Sequence, residues 1–206
     1  MPVAFLEQLP DGSKMGGWRF EETPEALVKM YPSLKDWYIM LKEKYRSETR
    51  IMEKMTVQVL LMAMDGCIGG MTTPLVSHLE SGCPILSDGR FISISHTKGL
   101  AVVLLSDERP VGIDVEYRSD RVAKIAHMFL RHDETPTSVD EQLLIWCAKE
   151  AAYKLFSAEK LTFEQMKVLP FQLQSMGCVQ LMNMKSETLV NLSYRFDDDY
   201  VLVYTI

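Results

Sequence analysis

Cysteine is scarce: Cys67, Cys83, Cys147 and Cys178 are the four in 206 residues, and no two form a CxxC pair. That spacing argues against a disulfide framework or a cysteine-rich zinc site and fits a reduced, cytoplasmic setting. Long apolar runs are missing as well. None approaches the ~20 residues needed to cross a bilayer, and the opening Met-Pro-Val-Ala-Phe lacks the basic start and apolar core of a secretory signal, so no membrane partner is expected. Basic residues are in deficit, 22 against 28 acidic, for a formal net charge of −6. A general nucleic-acid binder would normally be basic. An anionic small molecule is not excluded, because a local cluster of charge decides that. Methionine, by contrast, is plentiful at 14; Met52, Met55, Met62 and Met64 read as adaptable core filler.

Residues 111–116 (Val-Gly-Ile-Asp-Val-Glu) have the period of a half-buried strand. Val111, Ile113 and Val115 face a core, which sends Asp114 and Glu116 to the other face, about 7 Å apart. Carboxylates this close repel unless a cation or a proton lies between them; the plain alternative is a solvated edge strand. Gly112 leaves room for a ligand or another backbone to approach. Residues 140–157 read as a helix whose apolar stripe is Leu144, Ala148, Ala151 and Leu155. Glu150 and Lys154 are i,i+4 neighbours on its flank, either an ordinary surface pair or something more. If this helix packs on the 111–116 strand, Glu150 becomes a third carboxylate beside Asp114 and Glu116. Three oxygen ligands completed by water suit magnesium, and Lys154 and Lys149 would then reach a phosphate on that metal.

Along the chain, 3–6 is a first strand and 10–17 a turn broken at Gly12 and at Gly16-Gly17. Thr23-Pro24-Glu25 starts a helix that ends before Pro32. Ser33 is a cap for 34–45, and Ser47 for 48–64. Residues 65–70 form a glycine-rich break. Residues 91–95 and 100–106 make a hairpin, with 107–110 as the boundary between halves. Ser119 is a cap for a helix over 120–131, which places Arg121, Lys124 and Met128 opposite its apolar stripe. Closing strands are expected at 171–175, 178–183, 188–196 and 200–206. This element order describes an α+β fold with antiparallel strands and packed helices.

Residues 111–116, followed by Trp146-Cys147-Ala148-Lys149-Glu150-Ala151-Ala152-Tyr153-Lys154 and preceded by Phe91-Ile92-Ser93-Ile94-Ser95-His96-Thr97, resemble in order the signature motifs of the 4'-phosphopantetheinyl transferase superfamily. The length resembles the surfactin-synthetase-activating type, in which one chain holds two similar halves and acts as a monomer. The resemblance implies the following. Residues 1–108 would hold the nucleotide side of coenzyme A, and 109–206 the metal and the catalytic carboxylates. Asp114, Glu116 and Glu150 would bind Mg2+, with Glu150, Lys154 and Asp114 catalytic. Coenzyme A would be held by Ser95, His96, Lys149 and Lys154, by the turn Gly82-Cys83-Pro84, and by N-terminal basic residues among which Lys44 and Arg50 are candidates, along with Lys42 and Arg46. Position 83 departs from the pattern, since the family's turn carries lysine there. The partner would be an apo acyl or peptidyl carrier protein, docking near Arg121 and Lys124. Two rival readings of the same residues are a magnesium-dependent nuclease and a catalytically silent carrier-binding module.

Overall fold

The computed structural model describes residues 3–66, 75–79 and 81–206. The chain opens with a hairpin, β1 (Val3–Gln8) antiparallel to β2 (Lys14–Arg19). Its turn is made by Asp11, whose carboxylate accepts from the Ser13 backbone N–H and hydroxyl, and by Gly12 at φ +86°. Gly16 and Gly17 lie inside β2 rather than breaking it. They are glycines for packing reasons: a Cβ on Gly17 would run into the Phe5 ring, and one on Gly16 would crowd Leu60.

Three helices follow. In α1 (Pro24–Met30), the Thr23 hydroxyl accepts from the Ala26 N–H and Pro24 takes the first helical position. A 3-10 turn at Pro32–Leu34 leads straight into α2 (Lys35–Lys44), so Ser33 is absorbed into that turn and caps nothing. α3 (Glu48–Met64) starts where expected, with Ser47 Oγ accepting from Arg50 N. Its Ile51, Met55, Val59 and Met62 are buried. The glycine-rich break lies mostly outside the described residues; within them, Gly66 takes φ +67°.

A small ladder of β3 (Val76–His78) and β4 (Pro84–Leu86) precedes the hairpin β5 (Phe91–Thr97) and β6 (Leu100–Ser106). The first sheet has the order β1-β2-β6-β5. The second comprises β7 (Ile113–Tyr117), β8 (Met166–Val168), β9 (Met176–Asn183), β10 (Thr188–Phe196) and β11 (Tyr200–Thr205), in the order β7-β11-β10-β9-β8. Residues 171–175, expected as a strand, are not one. Pro170 has no N–H to donate to a ladder, Phe171 and Leu173 turn into the core, and the Gln174 N–H is held by the Tyr194 hydroxyl. The edge position falls to β8 instead.

Between β7 and β8 lie α4 (Arg121–Phe129) and α5 (Val139–Leu155). α4 starts after Asp120 with no side-chain cap, so Ser119 is not used. α5 is capped by Ser138 Oγ, which accepts from Glu141 N. One core lies under α3 and the first sheet, and another under α5 and the second. A third cluster, including Met15, Val102, Leu104, Ile113, Val115 and Leu202, joins the two sheets. The architecture is α+β with antiparallel sheets. The first sheet draws on residues before 107 and the second on residues after 112. With four strands in one and five in the other, the likeness between halves is not evident from the topology.

Candidate active site

The two sheets meet edge to edge along β5 and β7. Side chains alternate along β5, so Ser93, Ser95 and Thr97 share one face while Ile94 and His96 share the other. The first set points at β7 as a row of three hydroxyls. Ser93 Oγ accepts from Ile113 N at 3.0 Å, Ser95 Oγ donates to Asp114 Oδ1 at 2.7 Å, and Thr97 Oγ1 donates to Glu116 Oε2 at 3.3 Å while accepting from Tyr117 N. Ser95, expected to help hold coenzyme A, points at Asp114, on the face of β5 opposite to that of His96.

α5 lies against β7 because Gly112 has no side chain. A Cβ there would collide with the carbonyl oxygen of Ala151. Of the two uses open to Gly112, the approaching group is therefore a helix backbone. This contact brings the third carboxylate to the strand. Asp114 is almost fully buried, and its Oδ1 accepts from both Ser95 and Lys154 Nζ, the latter at 2.8 Å. Lys154 Nζ also donates to the Ile113 carbonyl. Asp114 Oδ2 is buried without a hydrogen-bond partner. Burial and the charge of Asp114 push the Glu150 carboxyl up to about 7, with Glu116 adding to the shift and Lys154 opposing it. Glu116 is raised by burial and by Asp114, and pulled back by the Trp146 indole N–H on Oε1 and the Thr97 hydroxyl on Oε2. Cys147, fully buried on the same helix, has its thiol pushed well up by burial and by Asp114 and Glu116, and stays neutral.

Among the described residues, no three His, Cys, Asp or Glu side chains converge closely enough to hold an ion as they stand. The donor set nonetheless fits a hard divalent cation. An orphaned buried carboxylate oxygen and two carboxyls with raised pKa values make a site short of positive charge, and its donors are all oxygen. Asp114, Glu116 and Glu150 are the residues that would hold it.

His96 faces the other way, with its Nε2 3.4 Å from Glu53 Oε2. It lines a cavity of about 170 Å³ together with Arg50, Gly82 and Pro84, three more of the expected contacts. Lys44 does not line this cavity; it stands exposed at the end of α2, stacked on the Tyr45 ring. Lys149 is not at the site at all. Its side chain is fully buried and its Nζ donates to Glu134 Oε2 at 2.6 Å and to the Phe129 carbonyl at 2.7 Å. The cause is helical phase, since Lys149 precedes Glu150 by one residue, about 100° around the axis.

Sequence reasoning missed several residues here. Trp146 and Thr97 both hold Glu116. Trp37, Lys54 and His78 line the cavity with His96. Thr97 was legible from its two-residue spacing to Ser95, and Lys54 from lying one turn after Arg50. His78 had no such signal. A second cavity, of about 480 Å³, opens beside Glu116, with Val122 and Ile125 of α4 on its wall and Arg121 among its lining residues.

Residues 110–205 match the family model of the 4'-phosphopantetheinyl transferase superfamily. The matched stretch contains β7, α5 and all three carboxylates. No curated protein sequence matches the chain significantly. Among the described residues, no helix is long and apolar enough to cross a membrane.

Proposed function

We propose that this chain transfers 4'-phosphopantetheine from coenzyme A to a serine of an apo acyl or peptidyl carrier protein, with magnesium, releasing adenosine 3',5'-bisphosphate. The family match over 110–205 supports the reaction class. The observation that carries the reading is Asp114: buried, with one oxygen held by Ser95 and Lys154 and the other unpaired, between two carboxyls of raised pKa. In the reaction, the serine oxygen attacks the β-phosphorus of the pyrophosphate and the bond to the adenosine-side phosphate breaks. Bound magnesium would neutralise charge on the pyrophosphate oxygens and orient them. Lys154, partly exposed beside Asp114, adds a cation for the same phosphates. A carboxyl near pH 7 is matched to accepting the serine proton, which makes Glu150 the candidate base; a metal-bound water is the alternative. His96, Arg50 and the turn at Gly82 and Pro84 would anchor the nucleotide end, using binding energy away from the reacting centre. Arg121 and Lys124 would meet the acidic carrier. The reading includes a monomeric, cytoplasmic enzyme of two related halves, residues 1–108 on the nucleotide side and 109–206 on the catalytic side.

The test is the intact mass of apo carrier proteins from fatty-acid, polyketide and peptide synthases after incubation with the protein, coenzyme A and magnesium. A gain of one phosphopantetheine on any of them is the expected result. No gain on all three would overturn the reading.

A further inference from the structure

His78 stands at the rim of the cavity that holds His96, on β3 opposite Pro84 of β4. The charges that act on it are basic, although the Glu53 carboxylate also lines the cavity. Arg50 and Lys54 come from α3, and Lys44 stands close enough at the end of α2 to act on it. From β5 comes His96, and from α3 also Glu53, but these two face each other as a pair. Among the described residues, neither Arg50 nor Lys54 has a carboxylate within ion-pair distance. Trp37 contributes to the same wall an indole N–H that is buried and unpartnered. The cavity thus gathers cations and an idle donor beside an aromatic face, which is the chemistry of a phosphorylated nucleotide site. The adjoining turn carries Cys83, which brings no charge.

We propose that His78 is a proton-linked phosphate contact: a phosphate monoester on a nucleotide entering this cavity is held by Arg50, Lys54 and His78, and the His78 imidazole takes up one proton as it binds. This rests on the coenzyme A reading and goes beyond it by assigning the charge that Cys83 does not supply. The physical reason is a change of sign in the local field. In the free protein, partial burial, followed by the charges of Lys54, Arg50 and Lys44, holds the imidazole below its ordinary value near 6.5. It is therefore neutral at pH 7 and adds no further like charge to the cluster. A phosphate dianion reverses the field and favours the imidazolium. The proton comes from solvent. His78's contribution to affinity is fully present below its free pKa and is lost as pH rises through its bound pKa. Across that window the binding constant falls by up to about tenfold per pH unit for one proton linked.

The experiment is calorimetry of coenzyme A and of adenosine 3',5'-bisphosphate at pH 6, 7 and 8, in buffers of different ionisation enthalpy. Wild type is compared with His78→Gln and His78→Lys. Because the ligand phosphate also titrates, the quantity read is wild type minus His78→Gln. Proton uptake should drop in His78→Gln, with affinity lost at pH 6 and little changed at pH 8. His78→Lys, a permanent cation, should keep affinity at all three values and lose the pH slope. In proton NMR, the imidazole resonance missing from His78→Gln should titrate at higher pH when ligand is bound. Equal uptake and equal pH slope in wild type and His78→Gln would overturn the proposal, as would no binding of either nucleotide to wild type. His78-dependent uptake with no carrier protein gaining mass would leave the phosphate contact standing and remove the transferase reading.

Discussion

Ser95 touches Asp114 rather than the cavity lined by His96, and this changes what its loss should do. With its hydroxyl gone, Asp114 Oδ1 keeps Lys154 but loses its orienting donor. Ser95→Ala is expected to weaken magnesium binding by about 10–100-fold, the range for partners that orient metal ligands. Ser95→Thr should restore much of it, and coenzyme A affinity without metal should be unchanged. Calorimetry with Mg2+ and with coenzyme A separates the two effects. Glu150 gives a pH prediction. Its carboxyl is raised from 4.5 to about 7 in the folded chain. Between those values the metal-free folded protein binds more protons than the unfolded chain, so its stability falls as pH rises and levels off above about 7. Thermal melts in chelator from pH 5 to 8 should show this decline, and Glu150→Gln should flatten it. A melting temperature that rises across this range would contradict the crowded-carboxylate account.

Two contacts between elements hold the site together. At the first, α5 rests on β7 through Gly112. Gly112→Ala is expected to force helix and strand apart, at a cost of about 1–3 kcal/mol or more. It should also weaken magnesium binding by separating Glu150 from Asp114, which denaturant titration and calorimetry on one variant would show. A variant with native stability would mean the helix can shift without strain. At the second, Lys149 ties α5 to the end of α4 and to the loop before α5: its ammonium bonds Glu134 and the Phe129 carbonyl, while Glu134 holds the Val168 N–H of β8. Removing one partner of a buried ion pair typically costs about 3–5 kcal/mol. Lys149→Ala should destabilise the fold on that scale, and below its melting temperature the KM for coenzyme A should stay near wild type. A raised KM with unchanged stability would return Lys149 to the phosphate site.

For the molecule as a whole, the two cavities lie on opposite faces of β5, one against α3 and past His96, the other beside Thr97 and Glu116. On the proposed reading, the nucleotide and the carrier would approach from different sides of the same strand. Arg121 and Lys124 are exposed on α4, and Arg121 lines the cavity beside Glu116. Replacing both by Glu should raise the KM for the carrier and leave coenzyme A affinity nearly unchanged. The defect should deepen at low salt, because like charges repel over a longer range there. Steady-state kinetics at two ionic strengths test this, and an unaltered carrier KM at both would place the docking face elsewhere.

Local rules determined much of this protein from sequence alone. Thr23-Pro24 and Ser47 start their helices because a cap needs only a side-chain oxygen within three residues of a free N–H. Two-residue alternation put Asp114 and Glu116 on one face, and helical spacing aligned Glu150 with Lys154. These are short-range geometries, fixed by bond angles and visible to the eye. What required the tertiary structure was which faces meet. Gly16 and Gly17 look like a turn until Phe5 and Leu60 are packed over them. Ser95 and His96 are neighbours in a motif, yet the seam between sheets sends one to the carboxylates and the other to the cavity. Lys149 looks identical in kind to Lys154, but the burial of its side of α5 makes it a structural tie. His78 carries no local signal at all. Its surroundings are set by charges from α2 and α3, more than twenty residues away in the chain, and electrostatic fields follow distance in space, not in sequence.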